Sequence, residues 1–149
     1  MAEKYFSRRE AEELLPMIGG CLGEALEQKK KMDQLDEQLS RAAAKIMVLG
    51  GSIPPHRELA ATRTEREQSL SELQKALVQI QETGCVVKDL DMGLVDFPSL
   101  RDGEEVYLCW KLGEERIAFY HGIEEGFAGR KPLDDAPGDA DDEPPPAVQ

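Results

Sequence analysis

The chain has 149 residues, with 18 Lys and Arg against 30 Asp and Glu, a formal net charge of −12. A surface this acidic repels phosphate backbones, which argues against nucleic-acid binding, and no apolar run approaches the roughly 18 residues that cross a bilayer. Charged residues at 32% and aromatics at 5% favour long solvated helices over an all-β sandwich.

Ser7 followed by Glu10, with Phe6 before it, has the spacing of a capping box, so a helix is predicted from about Arg8. Pro16 falls about two turns later, where its missing N–H and its ring predict a kink or a break. Across and beyond it Leu14, Ile18, Cys21, Ala25, Gln28, Met32, Leu35, Leu39, Ala42, Ile46 and Leu49 recur at steps of three and four. Only Gln28 is polar in this seam, a heptad stripe of the kind that packs a partner helix. Gly50, Gly51, Pro54 and Pro55 predict a turn, and Leu59, Leu70, Leu73, Leu77 and Ile80 mark a second helix interrupted by Arg63 and Arg66. A short connection between two long helices implies an antiparallel hairpin over about residues 8–83, ended by Gly84.

After Gly84 the period becomes alternating. Cys85 to Asp91 reads as a strand, Leu94 to Phe97 as a short apolar piece and Pro98 to Gly103 as a turn-rich link. Val106, Leu108, Trp110 and Leu112 share one face of a further strand, and Ile117 and Phe119 one face of its return. An even-length loop between these two strands would set Trp110 opposite Phe119 and Leu108 opposite His121. The predicted fold is therefore α+β, one domain over residues 1–133: a helical hairpin with a small antiparallel sheet, over about 85–131, packed at its open end on Tyr5 and Phe6. Residues 134–149 hold six acids, four prolines and no base, the composition of a disordered tail.

Three cysteines, Cys21, Cys85 and Cys109, without a CxxC pair, read as reduced thiols in a cytoplasmic protein. Asp89 and Asp91 point to one face of a strand, with Asp96 after a glycine-containing turn. Together with His121 and Glu125 they offer a divalent metal site for Zn, Mn or Fe, and the other reading is that they cap turns and pair with nearby cations. Glu114 in the hairpin loop is a further ligand candidate. Gly129 and Arg130, in the run Gly126-Phe127-Ala128-Gly129-Arg130-Lys131, offer amides and charge to an anion. The even-loop register puts Cys109 on the face opposite His121, which disfavours a cysteine nucleophile with a histidine base.

Lys88-Asp89-Leu90-Asp91 with Gly93-Leu94-Val95-Asp96-Phe97, Leu108-Cys109-Trp110-Lys111 with Gly113-Glu114, and His121 with Gly126-Phe127 and Gly129-Arg130 resemble a bacterial family known as domain of unknown function 2203. Tyr5-Phe6, Glu10-Ala11 and Leu14-Leu15-Pro16 are similar to the opening of that family, so the resemblance spans about Tyr5 to Leu133. It brings no activity with it. The residues themselves point to a non-catalytic scaffold or interaction protein that self-associates through its helices and binds a divalent metal. The alternative is a metal-dependent hydrolase built on the carboxylate and histidine cluster. Leu22, Leu26 and the Ile46 to Leu49 segment are the apolar surface expected to drive homo-oligomerisation.

Overall fold

The computed structural model describes residues 4–48 and 56–133. The expected turn at Gly50, Gly51, Pro54 and Pro55 and the expected tail over residues 134–149 lie outside the described residues.

The capping box forms as its spacing requires. The Glu10 amide donates to Ser7 Oγ at 3.1 Å, and the Ser7 amide donates to Glu10 Oε1 at 3.0 Å. Two amides that a helix start leaves without partners are thereby satisfied. From there α1 runs from Arg8 to Val48 without interruption, so the break expected at Pro16 does not occur. Pro16 is exposed, and the helix continues through it although the Glu12 carbonyl has no amide donor at that position. The second helix, α2, spans His56–Glu82.

The described residues form two compact units, one of residues 4–22 with 77–133 and the other of residues 23–48 with 56–76. The second unit is helical only, made of the later part of α1 and the earlier part of α2. In α1 the seam follows the sequence spacing, with Ala25 and Leu35 buried and Met32, Leu39, Ala42 and Ile46 half-buried, whereas in α2 Ala76, outside the expected stripe, is buried and Leu70 and Leu73 are half-buried. Arg66, one of the two arginines on the α2 stripe, makes an ion pair with Asp36 of α1, while Arg63 is exposed.

The first unit joins the start of α1 and the end of α2 to a five-stranded antiparallel sheet in the order β1-β2-β3-β4-β5. The strands are β1 (Val86–Asp89), β2 (Leu94–Arg101), β3 (Glu104–Lys111), β4 (Phe119–Gly122) and β5 (Lys131–Pro132), with a 3-10 turn at Phe127–Gly129. Pro98, expected in a turn, lies inside β2. β1 pairs with β2 only as far as Asp96, so Pro98 needs no amide on that side, and its carbonyl instead accepts from the Phe6 amide at 2.7 Å. Ser99 Oγ donates to the Phe6 carbonyl at 2.6 Å, so the segment before α1 completes this edge. At the β1–β2 turn Gly93 has φ +69°, and a Cβ there would lie 2.7 Å from Leu112 Cβ, which leaves glycine as the residue that fits.

The register between β3 and β4 differs from the expected one by a residue. Cys109 pairs with Phe119, Leu108 with Tyr120 and Tyr107 with His121. The expectation assumed an even loop, whereas the connection is 112–118, an odd number of residues. Ile117 belongs to this loop and not to β4. It turns into the core, fully buried, and its amide donates to Glu12 Oε2 at 2.9 Å. A one-residue change of register moves every side chain to the other face. Cys109 and His121 therefore share a face, contrary to the expectation.

Alternation along β2 and β3 sends Val95, Phe97, Leu108 and Trp110 into one cluster with Leu15, Ile18, Leu22 and Ile80 of the helices. Leu22 is thus buried by the sheet, and the expectation that it remains exposed for self-association is wrong. Phe6 lies at the centre of this cluster, edge-on to Phe97 with ring centroids 5.4 Å apart. Truncating it leaves a cavity between helix start and sheet, so Phe6→Ala is expected to cost about 3–5 kcal/mol. Urea unfolding of the variant measures this, and a loss near zero would mean that Phe6 does not anchor the sheet.

Candidate functional site

The face of the sheet turned away from the helical cluster carries a polar group that is nevertheless enclosed. Asp96 of β2 pairs directly with Cys109 of β3, and His121 of β4 sits one pair further along, opposite Tyr107. Their side chains meet because outward positions on adjacent antiparallel strands are close neighbours. One ligand atom from each, a carboxylate oxygen, a sulfur and a ring nitrogen, all lie within 4.8 Å of one another. Asp96 and His121 are each 2% exposed and Cys109 1%.

His121 is fixed at both nitrogens. Nδ1 lies 2.8 Å from the Gly122 carbonyl, which can only accept, so Nδ1 carries a proton and donates it. Nε2 lies 3.0 Å from Asp96 Oδ2. With the Nδ1 proton in place, the lone pair of Nε2 and the carboxylate oxygen are both acceptors. They are held together only by a positive species between them, a proton or a metal ion. Histidines that bind metals are commonly oriented in this way, with the distal N–H on a backbone carbonyl.

Arg130 covers the third member. Its guanidinium stacks on the Phe119 ring at 3.9 Å and the Phe127 ring at 4.6 Å, donates to Glu114 Oε2 at 2.6 Å, and places Nη1 3.9 Å from Cys109 Sγ. Burial pushes the Cys109 thiol up to about 11, with the Asp96 charge adding to the rise and Arg130 opposing it. A thiol held in this way is protonated and unreactive near neutrality, so sharing a face with His121 does not make it a nucleophile.

Of the residues singled out in the sequence, the structure brings Asp96 and His121 together. Asp89 Oδ1 accepts from the Met92 amide at 3.0 Å and so caps the β1–β2 turn, in which Asp91 is exposed. Glu125 Oε1 accepts from the Gly122 amide at 2.8 Å and pairs with Lys131 at 3.1 Å, and the first of these bonds holds its carboxyl below the usual range. Arg130 is committed to Glu114 and two aromatic rings, and Gly129 lies in the 3-10 turn beside Glu125. Glu114 also accepts from the Lys111 amide at 2.8 Å. Cys109 joins Asp96 and His121, although the even-loop register places it on the opposite face. The signal that finds it is the odd loop 112–118, which alone decides which face Cys109 shares.

The chain is thus a helical-hairpin protein carrying a small sheet with a buried carboxylate, thiol and imidazole on its outer face. It belongs to the family described as uncharacterized conserved protein (DUF2203), whose model matches residues 4–133. No curated protein and no solved structure matches it. Among the described residues no helix is long and apolar enough to cross a membrane.

Two outcomes follow for the thiols. In the native protein an aromatic disulfide reagent at pH 8 is expected to modify half-buried Cys21 first, with Cys85 and Cys109 reacting only on unfolding. The raised Cys109 pKa means that the folded state holds this proton more tightly than the unfolded one. Its contribution to stability is present below about pH 9 and lost as pH rises towards 11. Urea midpoints recorded across that window should fall less steeply for Cys109→Ala, and rapid labelling of Cys109 at pH 8 would contradict the assignment.

Proposed function

We propose that this protein is a non-catalytic scaffold that holds a divalent transition metal between Asp96, Cys109 and His121. The observation that carries the reading is the pair of buried acceptors, His121 Nε2 and Asp96 Oδ2, 3.0 Å apart with a sulfur ligand beside them. Oxygen, thiolate and imidazole together suit Zn or Fe(II), and the sulfur argues against the harder Mn that a carboxylate-only site would have favoured. A bound ion would neutralise the carboxylate and thiolate and replace the proton between Asp96 and His121.

Burial favours the scaffold over the hydrolase. A hydrolytic metal must present an open position to water and substrate, and none of the three ligands is more than 2% exposed. Arg130, flanked by Phe119 and Phe127, lies against the thiol side of the group. The same proposal includes self-association through the helices. With Leu22 buried, Met47 and Val48, 82% and 84% exposed, are the most exposed large apolar side chains among the described helical residues. Light scattering at tens of micromolar should then give twice the 16.6 kDa chain mass, falling to one chain mass in Met47→Glu/Val48→Glu. A wild-type monomer removes self-association from the proposal.

The metal is tested by elemental analysis of the purified chain before and after chelation, followed by reloading with Zn. One equivalent is expected in wild type, Asp89→Ala and Glu125→Ala, and none in Cys109→Ala or His121→Ala. Because thiol and imidazole must both give up a proton, uptake should weaken as pH falls, by roughly tenfold or more per unit. Absence of stoichiometric metal after reloading, or unchanged uptake in Cys109→Ala, overturns the assignment.

A further inference from the structure

β4 ends at Gly122, opposite Val106, whereas β3 begins two residues earlier at Glu104. The chain leaves the ladder at that point in a tight turn. The Glu125 amide donates to the Gly122 carbonyl at 3.1 Å, and Glu125 Oε1 accepts from the Gly122 amide at 2.8 Å. Ile123 and Glu124 are thereby carried away from the edge of β3, and a cavity of about 750 Å³ opens beside Glu104, Glu105 and Val106, with the Tyr120 ring among its walls. The volume is within the range of about 300–1,000 Å³ typical of binding clefts.

The charge of this cavity is lopsided. Five carboxylates and two cations line it. Lys131 pairs with Glu125 at 3.1 Å, and the Arg101 guanidinium lies over the Tyr120 ring at 4.5 Å. Among the described residues no ion pair engages Asp102, Glu104, Glu105 or Glu124. Beside these carboxylates Ile123 is 52% exposed, an apolar arm with no cover. Carboxylates next to an aliphatic wall complement a side chain with an apolar stem and a cationic head, which describes Lys and Arg. The adjoining strand edge complements an extended backbone, since two residues of β3 project past the end of β4.

We propose that this cavity docks a basic, extended segment of a partner protein. One Lys or Arg head enters beside Glu104 and Glu124, its stem lies along exposed Ile123, and the peptide runs beside the free edge of β3. The site is separate from the Asp96, Cys109 and His121 group, so it stands or falls independently of metal.

The test is fluorescence anisotropy of a labelled peptide alternating Lys and Val, titrated with the full chain and compared with a peptide alternating Glu and Val. Saturable one-to-one binding of the Lys peptide is expected, and none of the Glu peptide. Glu104→Lys/Glu124→Lys should weaken it by roughly tenfold or more, with each single reversal giving part of the loss. Glu65→Lys/Glu67→Lys makes the same change in net charge on exposed positions of α2 and should cost less than about threefold. Both reversals replace exposed side chains, so circular dichroism should be unchanged. Equal losses in the two double variants would reduce the effect to general attraction to an acidic chain and overturn the proposal. So would non-saturable binding in wild type.

Discussion

Two acceptors buried 3.0 Å apart cannot coexist without a positive charge between them, and the polar side of this sheet is organised around that constraint. The Gly122 carbonyl fixes the histidine by accepting a hydrogen bond from Nδ1. β2 fixes the aspartate by setting Asp96 directly opposite Cys109. Arg130 brings a further positive charge to the thiol side, and Glu114 balances it at 2.6 Å. Removing one partner of such a group is far more damaging than never having built it, because the survivor is left charged and unsolvated. A proton meets this balance, and the carboxylate oxygen, sulfur and ring nitrogen, all within 4.8 Å of one another, are a group that could hold a metal ion in its place.

The opposite side of the sheet supplies the rigidity that this arrangement needs. Val95, Phe97, Leu108 and Trp110 pack against the ends of both helices, and Phe6 ties the segment before α1 to Pro98 and Ser99 of β2. The loop 112–118 is pinned at two points, by Trp110 Nε1 donating to the Glu114 carbonyl at 2.9 Å and by the Ile117 amide on Glu12. These contacts hold the odd register of β3 against β4. That register in turn places Cys109 with His121, so a hydrophobic core on one face determines which polar groups meet on the other.

Much of this fold was legible from residue spacing. The capping box, the α1 seam and the strand alternation of Val106, Leu108 and Trp110 each follow from local rules that tertiary packing does not reverse. Pro98 lies where β1 no longer pairs with β2, so no amide is required of it, and α1 continues through exposed Pro16 despite the donor lost there. Leu22 looked surplus to the seam because the sheet that covers it comes from residues far along the chain. The site was half legible: Asp96 and His121 were identified by residue type, but Cys109 depended on whether one loop holds an odd or an even number of residues. Asp89 and Glu125, chosen on charge, serve turns instead, since local backbone amides reach them first.

The ligand set makes the central claim open to direct measurement. X-ray absorption at the zinc edge of the reloaded full-length protein reports the atoms bound to the ion. One sulfur at about 2.3 Å with nitrogen and oxygen ligands at about 2.0–2.2 Å is expected. A first shell of oxygen and nitrogen alone would place the ion elsewhere on this acidic chain and contradict the assignment of Asp96, Cys109 and His121 as its ligands.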